Sequence, residues 1–263
     1  MDAHGSSAMA SSLRQAAFWV GLRQEVTTAV ASRRSIKITL SPNFADPSFA
    51  PAADEVWTHR IMMHCAKVAQ FCFGNRSRSM DEYRNLVKYD EGWLRARPAT
   101  FLPLAYSDSD TNRGEVFPHI LYLSHAVGSF APFSIERAWL TSGLQVVGVV
   151  HSILAQTLLM CYDPTPSTME NSRKGAQVER DKLIQQQVLL LCGTALSNES
   201  TIPALITASL GIATFGDRFD DEYERQALLG VLVKTEADHG WPTGQIQRNL
   251  TSTWGRKYAQ YNT

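Results

Sequence analysis

Between Ala138 and Tyr162 the chain carries no formal charge. A stretch that long and apolar must be buried, either in a bilayer or in a protein core. Ser142, Gln145, His151, Ser152 and Gln156 interrupt it, and each is costly to hold in hydrocarbon. At about 100° per residue, Ser142, Gln145, Ser152 and Gln156 fall within one arc, with Leu144, Val147, Leu154 and Leu158 opposite. The segment reads as a core helix with a mildly polar stripe, not as a membrane span.

The flanking sequence repeats the helical pattern. Residues 1–12 are small and polar and read as a disordered start, and 13–263 as a single helical domain. Helices are expected over Leu13 to Ser32, Asp54 to Gly74 (with Gly74 as a left-handed stop), and from the capping-box pair Ser79 and Glu82 to before Pro98. Further helices are expected over Phe117 to Val127, Ser134 to Tyr162, Gly175 to Leu196, Ile202 to Phe215, Asp221 to His239 and Thr243 to Trp254. Only Ile36 to Leu40 alternates like a strand. Ser41 to Pro51, Ala99 to Arg113 and Asp163 to Ser172 are Pro-punctuated loops. The fold class is therefore all-α, a multi-helix array of about eight helices. Trp57, Phe71, Trp139, Phe215 and Trp254 are its expected aromatic core.

Charge narrows the function classes. Lys plus Arg is 25 and Asp plus Glu is 25, so the chain has neither a global attraction for nucleic acid nor a polybasic run for an anionic membrane. The first residues show no basic and apolar leader pattern, which predicts a chain that is not secreted. Cys65, Cys72, Cys161 and Cys192 lie in apolar surroundings and read as free thiols of a reducing compartment. On that reading the sequons at Asn75, Asn198 and Asn249 are chance tripeptides.

Catalytic signatures are sparse. No two glycines lie two residues apart and no Gly-Lys pair occurs, so neither the dinucleotide fingerprint nor the P-loop can be built. H-E-x-x-H and G-x-S-x-G are absent too. His59, His64, Cys65 and Cys72 share one helix, but Cys65 and Cys72 are about 10 Å apart along its axis, too far for one zinc. They read as two core cysteines and two surface histidines, and no cofactor is expected. Asp220, Asp221 and Glu224 spell D-D-x-x-E, the form in which class I terpene cyclases hold magnesium and a diphosphate. Asn171, Gly175 and Glu179 match the companion pattern, but the order is inverted. N-capping by acids in a first helical turn explains the cluster more simply. His151, Leu154 and Gln156, facing the helix from Ile202 to Phe215, are the candidate lining of a small apolar pocket. His119 and His125 have no partnering pattern.

Several strings carry a resemblance. Ala16 to Val30 reads AAFWVGLRQEVTTAV, Ala69 to Gly74 reads AQFCFG, and Pro118 to Gly128 reads PHILYLSHAVG. Leu191 to Asn198 reads LCGTALSN, Pro203 to Ala213 reads PALITASLGIA, and the tail holds QALLGVLVKTEADHGWPTGQIQRNLTSTWG. In this order they resemble the regulatory domain of fungal zinc-cluster transcription factors, from about Leu13 to Trp254. The resemblance implies a non-catalytic, nuclear, all-helical domain acting through a zinc-cluster partner or co-regulator and a small apolar effector; otherwise the chain reads as cytoplasmic. The family's DNA-binding module needs six cysteines in two C-x2-C-x6-C half-motifs. This chain has 4, no two of them three apart, so it should not read a DNA site by itself.

Overall fold

The computed structural model describes residues 3–40, 44, 46–75, 77–110, 113–122, 143–165 and 170–261. Among them the architecture is an array of eight α-helices with one very small hairpin. The helices are α1 (Ala3–Ala31), α2 (Asp54–Phe73), α3 (Met80–Ala96), α4 (Leu144–Cys161), α5 (Glu170–Leu196), α6 (Ile202–Phe215), α7 (Glu222–His239) and α8 (Gly244–Tyr261).

Two helices make the centre. α2 and α4 pack along each other; α1 and α3 cover α2, while α5 and α6 cover α4. Because α2 is enclosed on several sides, the expected apolar row of Trp57, Ile61, Cys65, Val68 and Cys72 is buried, and so are Thr58, Arg60 and His64. α4 has the length and apolarity of a membrane span, with a mean hydropathy of 1.7 over Leu144–Cys161, yet 78% of it is buried inside the molecule. A largely apolar helix suits such a position, and its polar stripe turns to α3, where Ser152 and Gln156 meet Asp90. Trp57, Phe71, Phe215 and Trp254 are core residues as expected; Trp139 lies outside the described residues. The Trp93 indole donates to the Trp57 carbonyl at 3.1 Å and meets Phe101 edge-on, locking α3 against α2. At the far end the Trp254 indole donates to the Gly216 carbonyl at 3.0 Å, which ties α8 to the end of α6.

Several expectations are corrected. α1 begins at Ala3 rather than Leu13; Ala8 and Ala10 favour helix, and a formed helix extends at the gain of one hydrogen bond per residue. α5 begins at Glu170 rather than Gly175. Gly74 is not a left-handed stop: its φ of −71° and ψ of 160° are extended. It is needed for space instead, because a Cβ there would run into the Gln70 carbonyl oxygen. Among the described residues Ile36 to Leu40 pairs with no strand. Gln70 and Glu25 hold its start through the Ile36 and Lys37 amides, at 3.0 and 2.5 Å.

The expected helix at Phe117 to Val127 is replaced in its described part by strand β2 (His119–Leu121). This strand pairs antiparallel with β1 (Ala105–Ser107), within the stretch read as a loop, in the register Ala105↔Leu121, Tyr106↔Ile120 and Ser107↔His119. The cause is tertiary. Asn198, beyond the end of α5, donates to the Ile120 carbonyl at 2.7 Å and accepts from the Tyr122 amide at 3.1 Å, and Ser197 accepts from the Ile120 amide at 2.9 Å. Side chains thus serve as the missing neighbouring strand. Gly193 permits the approach, because a Cβ there would strike the Pro118 carbonyl.

Candidate functional site

The D-D-x-x-E acids are engaged in local structure. Asp221 is the N-cap of α7 and accepts from the Glu224 amide at 2.9 Å. Asp220 lies 3.3 Å from the guanidinium of Arg225, which is itself buried. Burial, then Asp221, raises the Glu224 carboxyl. These three acids border a surface cleft of about 630 Å³ together with Asp181 and Asp217. Asn171, Gly175 and Glu179 lie on α5. Among the described residues no three His, Cys, Asp or Glu side chains converge as a metal site.

The expected pocket residues diverge. His151 is buried, and its Nδ1 lies 2.7 Å from the Val147 carbonyl of its own helix. Burial drives its imidazole down to about 4, so it is neutral at physiological pH. Leu154 is a core residue. Gln156 faces elsewhere, donating to Ser152 at 3.1 Å, and with Ser152 it hydrogen-bonds the carboxyl of Asp90 on α3. His151, Leu154 and Gln156 therefore do not gather at one cavity.

The histidines and cysteines of α2 also part company. Cys65 and Cys72 are buried, and desolvation raises both thiols far above their ordinary range. His59 stacks on Trp19 with ring centroids 3.8 Å apart. His64, expected on the surface, is 2% exposed. It faces α3, with Nε2 3.8 Å from Asp90 Oδ1 and its ring against Tyr89. Among the described residues neither His64 Nε2 nor Asp90 Oδ1 has a hydrogen-bond partner. Burial pushes the carboxyl up to about 7 and the imidazole down to about 3. Both shifts favour the uncharged forms, so the pair is neutral between about pH 3 and pH 7.

His64 also borders a cleft of about 400 Å³ between α2, α3 and the turn at Asp46. Met63, Leu86, Tyr89 and Pro47 give it an apolar and aromatic lining. Arg60 forms one wall, and each of its three guanidinium nitrogens is engaged in a hydrogen bond. It donates to the Asp46 and Ala50 carbonyls at 3.2 and 2.9 Å and to Asp46 Oδ2 at 2.9 Å, and it lies over the Trp57 ring. Hydrogen bonds from Ser48, then the one from Arg60, hold the Asp46 carboxyl down to about 2. Lys67 on α2 and Glu82 on α3 border the same cleft and are exposed.

Comparison with models of protein families, with curated proteins and with solved structures finds no significant match to this chain.

No sequence motif marks Arg60, Lys67, Tyr89 or Asp90 as a functional candidate, and Glu82 reads only as a capping residue. A signal was available for two of them. Arg60 stands in the i, i+3, i+7 row Trp57–Arg60–His64 on a buried helix. Asp90 stands in the i, i+4, i+7 row Leu86–Asp90–Trp93, the buried positions of α3. A charge inside an apolar row requires a partner. His119 sits in β2, and His125 lies outside the described residues.

Proposed function

We propose that the chain is a non-catalytic regulatory domain of a fungal-type transcription factor, acting by protein contact and by holding a small effector in the α2–α3 cleft. The observation that carries the effector site is the cleft itself: an apolar, aromatic lining with a few polar groups on its border, the usual make-up of a small-molecule site. Its titratable groups suit binding better than bond-making. His64 is held neutral and faces a carboxyl that burial also pushes toward its neutral form, and Arg60 is committed to structural hydrogen bonds. The transcriptional role rests on the ordered strings that resemble the regulatory domain of zinc-cluster factors. By that resemblance the partner is such a factor or a co-regulator and the compartment the nucleus. The earlier expectation of a pocket at His151, Leu154 and Gln156 moves to this cleft.

The test is a reporter assay in which the full chain is fused to a heterologous zinc-cluster DNA-binding module. The expected result is transcription that differs from that of the module alone and responds to substitutions that fill the cleft, such as Leu86→Trp. A fusion indistinguishable from the module alone, together with failure to co-purify a zinc-cluster factor, overturns the reading.

A second reading, a magnesium-dependent cyclase-like enzyme, draws on one observation: Asp220, Asp221 and Glu224 open on the same surface cleft as Asp181 and Asp217. A thermal shift with magnesium and inorganic diphosphate, abolished by Asp220→Asn plus Asp221→Asn, would favour it.

A further inference from the structure

We propose that the ligand of the α2–α3 cleft is a small zwitterion with an apolar body, its acidic group held by Lys67 and its cationic group by Glu82. The inference rests on reading the cleft as the effector site.

The argument runs from charge and shape. The cleft volume of about 400 Å³ suits a small organic molecule rather than a protein segment. Met63, Leu86 and Tyr89 offer it apolar and aromatic surface, which favours a compact apolar body, a ring above all. Of the four charged residues on the cleft, Asp46 and Arg60 neutralise each other at 2.9 Å. Lys67 and Glu82 remain, one cation from α2 and one anion from α3, and neither has an ion pair with another described side chain. A ligand carrying only an acid would satisfy Lys67 and meet repulsion from Glu82; one carrying only an amine would do the reverse. A molecule with both groups satisfies both sides. His64 is neutral, so it adds no charge that would select between them. A ligand bridging the two residues also bridges the two helices, so binding would draw α2 and α3 together, as an effector must if it is to alter the packing of a regulatory domain.

Three probes sharing one ring system test this: tryptophan carries both charges, indole-3-acetate only the acid, tryptamine only the amine. Titration calorimetry on the full chain should give tryptophan at least about tenfold tighter binding than either of the others. Lys67→Met should weaken tryptophan and relieve the repulsion of tryptamine, which should bind at least as tightly as before. Glu82→Gln should weaken tryptophan and relieve the repulsion of indole-3-acetate, which should bind at least as tightly as before. Both side chains are exposed and Gln suits the first turn of a helix, so both variants should fold, which thermal melting checks. Leu86→Trp should abolish binding of all three. Equal affinity for the three probes, no binding of any, or a loss at Lys67→Met and Glu82→Gln that is the same for all three would overturn the proposal. Tight binding of one singly charged probe would overturn the zwitterion and leave the cleft as an effector site. The reporter assay is independent of all these titrations.

Discussion

His64 Nε2 and Asp90 Oδ1 face each other across the α2–α3 seam at 3.8 Å, and neither atom has a hydrogen-bond partner among the described residues. Both side chains are buried, at 2% and 5% exposure. In a setting so poor in water an ionised carboxylate is costly, and the carboxyl is correspondingly pushed up to about 7.

Replacing that carboxyl by its neutral isostere separates burial from charge. The folded pKa of Asp90 lies above its unfolded value, so its stabilising contribution is present at low pH and is lost as pH rises through about 7. Asp90→Asn should therefore leave stability nearly unchanged below pH 4 and raise it at pH 8, by roughly 4 kcal/mol for a rise of about three pKa units at about 1.4 each. Urea denaturation at the two pH values measures this. Equal effects at both would mean that the carboxylate is not held neutral.

The histidines act in the opposite direction. His59, His64 and His151 are driven down to about 4, 3 and 4, in each case first by burial. Their unfolded forms bind protons more readily, so their stabilising contribution is present above about pH 6.5 and is lost as pH falls through the folded values. Three histidines outweigh one carboxyl between pH 4 and 6.5. The melting temperature should rise across that interval, and a maximum near pH 4.5 would contradict the burial of these rings.

Asn198→Ala should loosen the hairpin. It strips the acceptor from the Tyr122 amide and the donor from the Ile120 carbonyl, both bonds lying in buried surroundings. The expected loss is about 2–3 kcal/mol, with faster hydrogen exchange at the Tyr122 amide. Unchanged exchange there would show that β1 alone holds β2.

Arg60→Lys tests whether a planar fork is required. The guanidinium makes three hydrogen bonds to Asp46 and Ala50, and an ammonium cannot reproduce that geometry. A loss of about 1–3 kcal/mol and protease cleavage near Asp46 are expected. Wild-type resistance to proteolysis would mean that the turn is held by Asp46 and Ser48 alone.

Much of the array is legible in the residues themselves. Ile202 to Phe215 matches α6 at both ends, and Asp54 and His239 mark their helix ends within a residue. Ser79 caps α3 as its position beside Glu82 suggests, accepting from the Asp81 and Glu82 amides at 3.2 and 3.5 Å. Helix hydrogen bonds are local, so period and capping reveal them. The candidate site is not legible in this way. Gln156 was singled out beside His151, yet the two point to different neighbours, because a helix four-fifths enclosed by other helices offers no single functional face. Glu82 reads as a capping acid, and only the arrival of α2 beside it makes it part of a cleft.

The sequence by itself determined an all-helical chain, the apolar rows of α2 and α4, and the caps, because each depends on residues within a turn or two of one another. Tertiary structure decided the rest. It turned His119 to Leu121 into a strand by presenting Ser197 and Asn198, buried His64 against Asp90, and set Lys67 across a cleft from Glu82. Those outcomes depend on which helix covers which. That choice is made by the fit of whole faces and by the need to pair every buried polar group, and neither is written in any local run of residues.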